Sequence, residues 1–322
     1  MCLPASELGG FGGRDAVPDT GVVGHLADLV ARHGAVRVRG TGVASAADLR
    51  RAASALGRVV PALPEESSPR TRLDDGVWTS TDYPARFPIQ FHNEFSYAAC
   101  WPRLVLFACL RPPGEGGETL LADSGAVLAR LSPATRAEFT ARGLLYERNY
   151  SGRSGVGWQD AFGTGDPGAV EAHCRSRGMA WRWRGDELST RQAAPAVETH
   201  PVSGQEVWFN HALLFHVRGL EPDWLRRSME RVPPGARASN SYFGDGDDIP
   251  AGHLDEVRDA YAAETVAGAW RAGDVLVVDN MLCAHARAPY AGPREVVVAM
   301  VDEWHRADGR GREVPEEPGW NR

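Results

Sequence analysis

The 322-residue chain carries 43% hydrophobic and 24% charged side chains, a soluble globular composition with ample material for a core. Its 35 basic and 42 acidic residues leave a formal net charge of −7, so no basic field draws it to nucleic acid or to an anionic membrane. Met1 to Arg14 is Gly-rich, with neither a basic leader nor a continuous apolar stretch. No signal peptide or transmembrane helix is therefore expected, and the reading is a cytoplasmic protein.

Residues 1–18 read as a flexible N-terminal segment, 19–305 as a single domain and 306–322 as a C-terminal tail. From Asp19 to Gly57 the apolar spacing runs helix, strand, helix, with the strand at Ala35-Val36-Arg37-Val38-Arg39. Pro61 to Pro69 is Pro- and Ser-rich and reads as a mobile loop. Short strands are expected at Pro88 to Tyr97, Leu104 to Leu110 and Thr119 to Asp123, followed by helical spacing from Ser124 to Arg142. The middle section, Leu144 to Asp245, mixes strands such as Val207-Trp208-Phe209 with Gly-rich loops. A helix from about Leu254 to Thr265 precedes the apolar runs Val275 to Val278 and Val296 to Val301, which are expected to be adjacent antiparallel strands. Many short strands with inserted helices define a mainly β, α+β class: a jelly-roll core with an N-terminal helical layer. The five cysteines, Cys2, Cys100, Cys109, Cys174 and Cys283, are scattered and never spaced Cys-x-x-Cys, which fits buried reduced thiols rather than a zinc or redox pair.

The segment Phe91-His92-Asn93-Glu94-Phe95 places an imidazole and a carboxylate two residues apart. On a strand both would project from one face and reach one metal ion; on a helix they would diverge. Ten histidines and 42 acidic residues make about one such triplet expected by chance, and His253-Leu254-Asp255 is another. That second triplet opens a helical stretch, so its side chains do not converge and a surface role is expected. His285, just past the buried strand and Asp279-Asn280, supplies a third ligand. Two histidines and one carboxylate form the facial triad of non-haem Fe(II) oxygenases. Zinc accepts the same ligands, which keeps a zinc hydrolase as an alternative, along with a non-catalytic jelly-roll binding module. Arg294, in Pro293-Arg294-Glu295, offers a guanidinium fork for a carboxylate.

These stretches, with Gly116-Gly117-Glu118-Thr119, Trp208-Phe209-Asn210-His211 and Gly273-Asp274-Val275 through His285-Ala286-Arg287-Ala288-Pro289-Tyr290 to Arg294, resemble the TauD/TfdA family of 2-oxoglutarate dioxygenases. Within it they are most similar to clavaminate synthase-like and SyrP-like amino-acid hydroxylases. The resemblance spans about Ala35 to Val301 and implies a double-stranded β-helix. It also implies Fe(II) at His92, Glu94 and His285, the 2-oxoglutarate carboxylate on Arg294 with help from Thr119, and O2 as oxidant. The link from His285 to Arg294 is shorter than in clavaminate synthase-like relatives, which leaves Arg287 as a weaker alternative. A carboxylate at Glu94 argues against halogenation, since related halogenases have Gly or Ala there. The implied reaction is hydroxylation of an amino acid or derivative, free or tethered to a peptidyl carrier protein, in natural-product biosynthesis; desaturation or epoxidation would use the same residues.

Asn210, Arg148 and Trp158 are the expected substrate contacts, Arg148 through a substrate carboxylate. His211 and His216 read as histidines satisfied by hydrogen bonds in a polar core.

Overall fold

The computed structural model describes residues 20–61, 64–152, 155–306, 314–315 and 319–321. The strand Cys100–Arg111 is apolar on both faces, because each face is covered by a different layer. It sits inside a six-stranded antiparallel sheet, in the order Ala35–Val38, Val275–Asp279, Cys100–Arg111, Glu295–His305, Val77–Thr79, Arg72–Asp74. Alternate residues Leu104, Leu106 and Ala108 pack against Leu26 and Val30 of the helix Thr20–His33 and against Leu49 and Ala53 of the helix Ala46–Leu56. These two helices are the expected N-terminal layer. The second starts where Ser45 caps it by accepting from the Asp48 amide.

The opposite residues Val105, Phe107 and Cys109 face Leu121 and Cys283 of a three-stranded sheet, in the order Ile89–His92, Cys283–Arg287, Thr119–Asp123. Two antiparallel sheets closing on one apolar layer make the jelly-roll core of an α+β protein. A further four-stranded sheet, Ser239–Phe243, Leu144–Tyr150, Glu187–Ala194 and Ala180–Arg184, extends it. Part of the expected C-terminal tail docks there: Val314 is buried and Asn321 exchanges backbone hydrogen bonds with Trp181.

The structure departs from the expectations in three places. Val275–Asp279 and Glu295–His305 are not neighbours; each pairs antiparallel with Cys100–Arg111, one on either side, so they run parallel to each other. The cause is that the strand between them, Cys283–Arg287, crosses to the opposite sheet. Asp279 makes that turn, its Oδ1 accepting from the amides of Met281 (3.0 Å) and Leu282 (3.1 Å). Secondly, the strand that carries His92 ends there, leaving Glu94 in a turn. Thirdly, the helical stretch after Ser124 breaks into Ser124–Arg130 and Pro133–Arg142, because Pro133 suits only a first turn and Ser132 caps the second helix.

Cys100, Cys109, Cys174 and Cys283 are buried free thiols, while Cys2 and the segment 1–18, expected to be flexible, lie outside the described residues. Among the described residues, no helix is long and apolar enough to cross a membrane. Leu106 is fully buried between helices and sheet. Leu106→Ala is expected to lower unfolding stability by about 2–5 kcal/mol in urea titrations, from lost transfer energy and the cavity left behind.

Candidate active site

His285 pairs directly opposite His92 across two antiparallel strands, which brings their ring centroids to 4.3 Å. Glu94 joins them by a different route from the one its spacing suggests. After His92 the chain turns sharply, with Phe95 at φ 56°, a left-handed conformation uncommon for a bulky residue. The fully buried Asn280 holds this turn. Its Oδ1 accepts from the Glu94 amide at 2.7 Å, and its Nδ2 donates to the Glu94 carbonyl at 2.8 Å and to that of Pro102 at 3.1 Å. Asn93 returns the contact by donating to the Asn280 carbonyl at 2.7 Å.

Ligand atoms of His92, Glu94 and His285 lie within 4.8 Å of one another, and all three side chains are buried. His92 Nδ1 is 2.8 Å from the Gln90 carbonyl, which places its proton on Nδ1 and leaves the Nε2 lone pair free. Burial, reinforced by neighbouring His285, pushes the His92 pKa down to about 3, keeping the imidazole neutral as a metal ligand requires. Burial alone would raise the Glu94 pKa, but Arg70 and the adjacent His285 and His92 outweigh it, so the carboxyl is held well below its usual range. Two imidazoles and one carboxylate, buried and converging, fit a divalent metal ion with open positions. The other triplet does not converge: His253 bonds to Glu138 and Thr135, and Asp255 pairs with Arg218 and Arg258.

A cleft opens on the triad, and Thr119, Arg287 and Arg294 also line it. Arg294 donates Nε to the Gly117 carbonyl (3.0 Å) and Nη1 to Ser80 Oγ (3.1 Å), leaving Nη2 with no protein partner among the described residues. Burial, with Arg287 nearby, lowers its pKa to about 10, so it stays cationic at neutral pH. The Gly116-Gly117 turn makes room for it. Both glycines have positive φ, and a Cβ on Gly117 would lie 2.9 Å from the Tyr290 Cβ and 3.1 Å from the Arg294 Cδ. Arg287, by contrast, directs its two amino groups at the carbonyls of Thr81, Tyr83, Pro84 and Phe87 and so clamps that loop.

The three expected substrate contacts have other partners, and none lines the cleft. Arg148 donates to the carbonyls of Glu65 (2.7 Å) and Glu66 (2.6 Å), stacked among Tyr97, Tyr150 and Phe215. Asn210 braces its own turn, donating to the Ala196 carbonyl and accepting from the Ala212 amide. Trp158 belongs to a separate apolar cluster and donates to the Asp186 carbonyl. His211 Nδ1 meets Ser96 Oγ at 2.7 Å and His216 Nδ1 accepts from the Arg218 amide, each satisfied as expected, although the His211 ring packs edge-on against His92. Two residues that sequence reading passed over belong to the site. One is Asn280, whose only signal was being polar at the end of an entirely buried strand. The other is Arg70, which donates from Nη2 to both Glu94 oxygens at 3.0 Å and lies in a polar stretch without any motif.

A jelly roll with two histidines and a carboxylate buried between its sheets is the architecture of a mononuclear non-haem metalloenzyme. The chain belongs to the TauD, TfdA family: the family model described as "Taurine catabolism dioxygenase TauD, TfdA family" matches residues 5–300. It is accordingly a 2-oxoglutarate-dependent dioxygenase that uses Fe(II) and O2. The dapdiamide synthesis protein DdaC of Enterobacter agglomerans is 32% identical over 276 residues, covering 85% of this chain and 84% of that protein. A clavaminate synthase-like protein of Arabidopsis thaliana is 30% identical over 288 residues, covering 86% and 84%. Among solved structures, AAD-2 in complex with Mn(II) and N-oxalylglycine superposes with a TM-score of 0.54 at 14% identity, covering 94% of this chain and 97% of that one. PvcB of Pseudomonas aeruginosa gives 0.51 at 18%, covering 93% and 84%. At such identities these two show a shared fold.

Asn280→Ala would leave the buried Glu94 amide and carbonyl without these partners. A loss of about 2–4 kcal/mol is expected in urea unfolding of the metal-free protein, well above that of an exposed Asn→Ala control.

Proposed function

We propose that His92, Glu94 and His285 hold the Fe(II), that Arg294 and Thr119 hold the distal carboxylate of 2-oxoglutarate, and that the enzyme hydroxylates an unactivated carbon of an amino acid or amino-acid derivative in natural-product biosynthesis. The observation that carries the reading is the convergence of three buried ligand atoms within 4.8 Å, in one cleft with an arginine that keeps an uncommitted amino group. The substrate class is supported by likeness to a protein named for dapdiamide synthesis and to a clavaminate synthase-like one.

Bound Fe(II), with 2-oxoglutarate and O2, supplies the oxidising power that turns C–H into C–OH while 2-oxoglutarate leaves as succinate and CO2. The chain supplies position and environment. The Gln90 carbonyl fixes the His92 tautomer, so that Nε2 faces the cleft. Asn280 fixes the turn that aims Glu94. Burial of the triad keeps bulk water from the reacting carbon, and the glycine turn seats the Arg294 stem, leaving its free amino group to pair with a carboxylate. That substrate is either free or carried on a peptidyl carrier protein.

Anaerobic titration of metal-free protein with Fe(II) and 2-oxoglutarate tests the assignment through the weak visible charge-transfer band of the chelate. Wild type is expected to show the band and His285→Ala to lose it; a band of equal strength in the variant would remove His285 from the ligand set. Arg294→Ala is expected to raise the half-saturating 2-oxoglutarate concentration about ten- to a hundredfold, the loss of a charge-assisted pair. Gly117→Ala should shift it in the same direction by displacing the Arg294 stem, and an unchanged midpoint in both would reassign the co-substrate carboxylate.

A further inference from the structure

Arg70 lies deep in the cleft wall with its side chain 6% exposed. Its Nη2 is spent on Glu94, and its Nε stands 3.5 Å from a Glu66 carboxylate oxygen without hydrogen-bonding it. Nε and Nη1 have no hydrogen-bond partner among the described residues. A buried guanidinium with unmade bonds is costly, and native structures rarely keep one unless something else completes it. The residues lining the cleft are unevenly charged: Arg70, Arg287 and Arg294 against Glu94, with the Glu66 carboxylate beside Arg70 outside the lining. Adding Fe(II) and the doubly charged 2-oxoglutarate leaves that excess unchanged.

The segment that delivers Arg70 is built to hold still. Glu65 sits at φ 72°, a strained conformation for a residue with a side chain, and persists because its surroundings grip it. The amides of Glu65 and Glu66 both donate to the Ala161 carbonyl (2.8 and 3.1 Å). The Glu65 carbonyl accepts from Arg148 and from the Tyr97 hydroxyl (2.6 Å), and its carboxylate meets His173 Nε2 at 2.9 Å. Immediately flanking Arg70, the Thr71 amide donates to Thr79 Oγ1 and the Pro69 carbonyl accepts from the Asp82 amide. A fork held on both sides is pre-organised for a ligand.

We propose that Arg70 receives a free carboxylate of the substrate, through the nitrogen that Glu94 and Glu66 leave open. Arg148 acts one step behind it by positioning the segment. The inference rests on the iron and 2-oxoglutarate assignment above and deepens it: the substrate is a free carboxylic acid of the amino-acid class. An aminoacyl group tethered to a carrier protein has that carboxylate tied up as a thioester.

The test uses the anaerobic protein loaded with Fe(II) and 2-oxoglutarate and reads the shift of its visible band on adding the protein L-amino acids, each as free acid and as methyl ester. At least one free acid is expected to shift the band at a concentration about ten- to a hundredfold lower than its ester does, as for loss of a charged hydrogen bond. Arg70→Lys, which keeps a cation beside Glu94, and Arg70→Gln should erase that preference while the 2-oxoglutarate midpoint stays within about twofold. Acids and esters that act alike, no acid that acts at all, or a preference that survives in both variants would each overturn the proposal. If the variants instead raise the 2-oxoglutarate midpoint, Arg70 serves the co-substrate; if both lose the band while their urea midpoints match wild type, it only orients Glu94. Either result also overturns the proposal. Absence of the band in wild type fails at the earlier step and overturns the metal assignment together with this one.

Discussion

The bond on which the site depends is the reciprocal clasp between the Asn280 side chain and the backbone of Glu94. One carboxamide satisfies the amide and the carbonyl of a single residue 186 positions away, and spends its second proton on the Pro102 carbonyl. Three stretches of chain therefore meet at one fully buried side chain: the turn after His92, the start of the central strand Cys100–Arg111 and the end of Val275–Asp279. Without that clasp Glu94 would sit on an irregular turn with a left-handed Phe95 beside it, a poor support for an ionised group in a dry interior. With it, a turn is held as firmly as a strand.

The clasp works because the sheets around it have no freedom of register. Along Cys100–Arg111 one set of alternate side chains must meet the N-terminal helices and the other must meet the opposite sheet, so a one-residue slip would exchange the two sets and expose both apolar layers to the wrong partners. The same alternation brings Phe107 against His285 at 5.1 Å between ring centroids. His285 in turn is locked opposite His92 and Leu121 by strand pairing. Metal-ligand geometry is thus inherited from core packing. That is why two of the proposed ligands can come from regular strands while the third, which cannot, needs a dedicated side chain to hold it.

What was readable in the chain divides along this line. Apolar periodicity marked the two N-terminal helices, the buried strands and their jelly-roll class, because those signals are local. The pairing of His92 with Glu94 was legible as a spacing, but the reason behind the spacing was different: the strand stops at His92, and Asn280 rather than the pleat aims the carboxylate. Strand adjacency near the end of the chain was misread because a short connection with Pro and Gly looks like a hairpin even when the strand inside it changes sheets. Asn280 and Arg70 were invisible as site residues, since their partners lie far away in sequence and neither sits in a motif. Arg148 shows the reverse: an arginine between loops invites a ligand, and here its two hydrogen bonds go to backbone carbonyls.

That contrast is the clearest guide to which cations here face ligands. Arg148, Arg287 and Arg306 are buried, and each spends its amino groups on carbonyl oxygens: of Glu65 and Glu66, of the loop from Thr81 to Phe87, and of Ser96 and Ala98. They act as rivets, replacing backbone pairings that irregular segments cannot make for themselves. Arg70 and Arg294 line the cleft and each keep a terminal amino group uncommitted, whereas Arg287, which also lines it, has both amino groups spent and only its Nε left over. Their placement also separates their tasks, for Arg294 is tied to Gly117 and Ser80 whereas Arg70 is tied to Glu94 itself. An anion paired with Arg294 therefore need not compete for the nitrogen left over on Arg70. Two separately anchored cations suit the proposed pairing of a dicarboxylate co-substrate with an acidic substrate in one cleft.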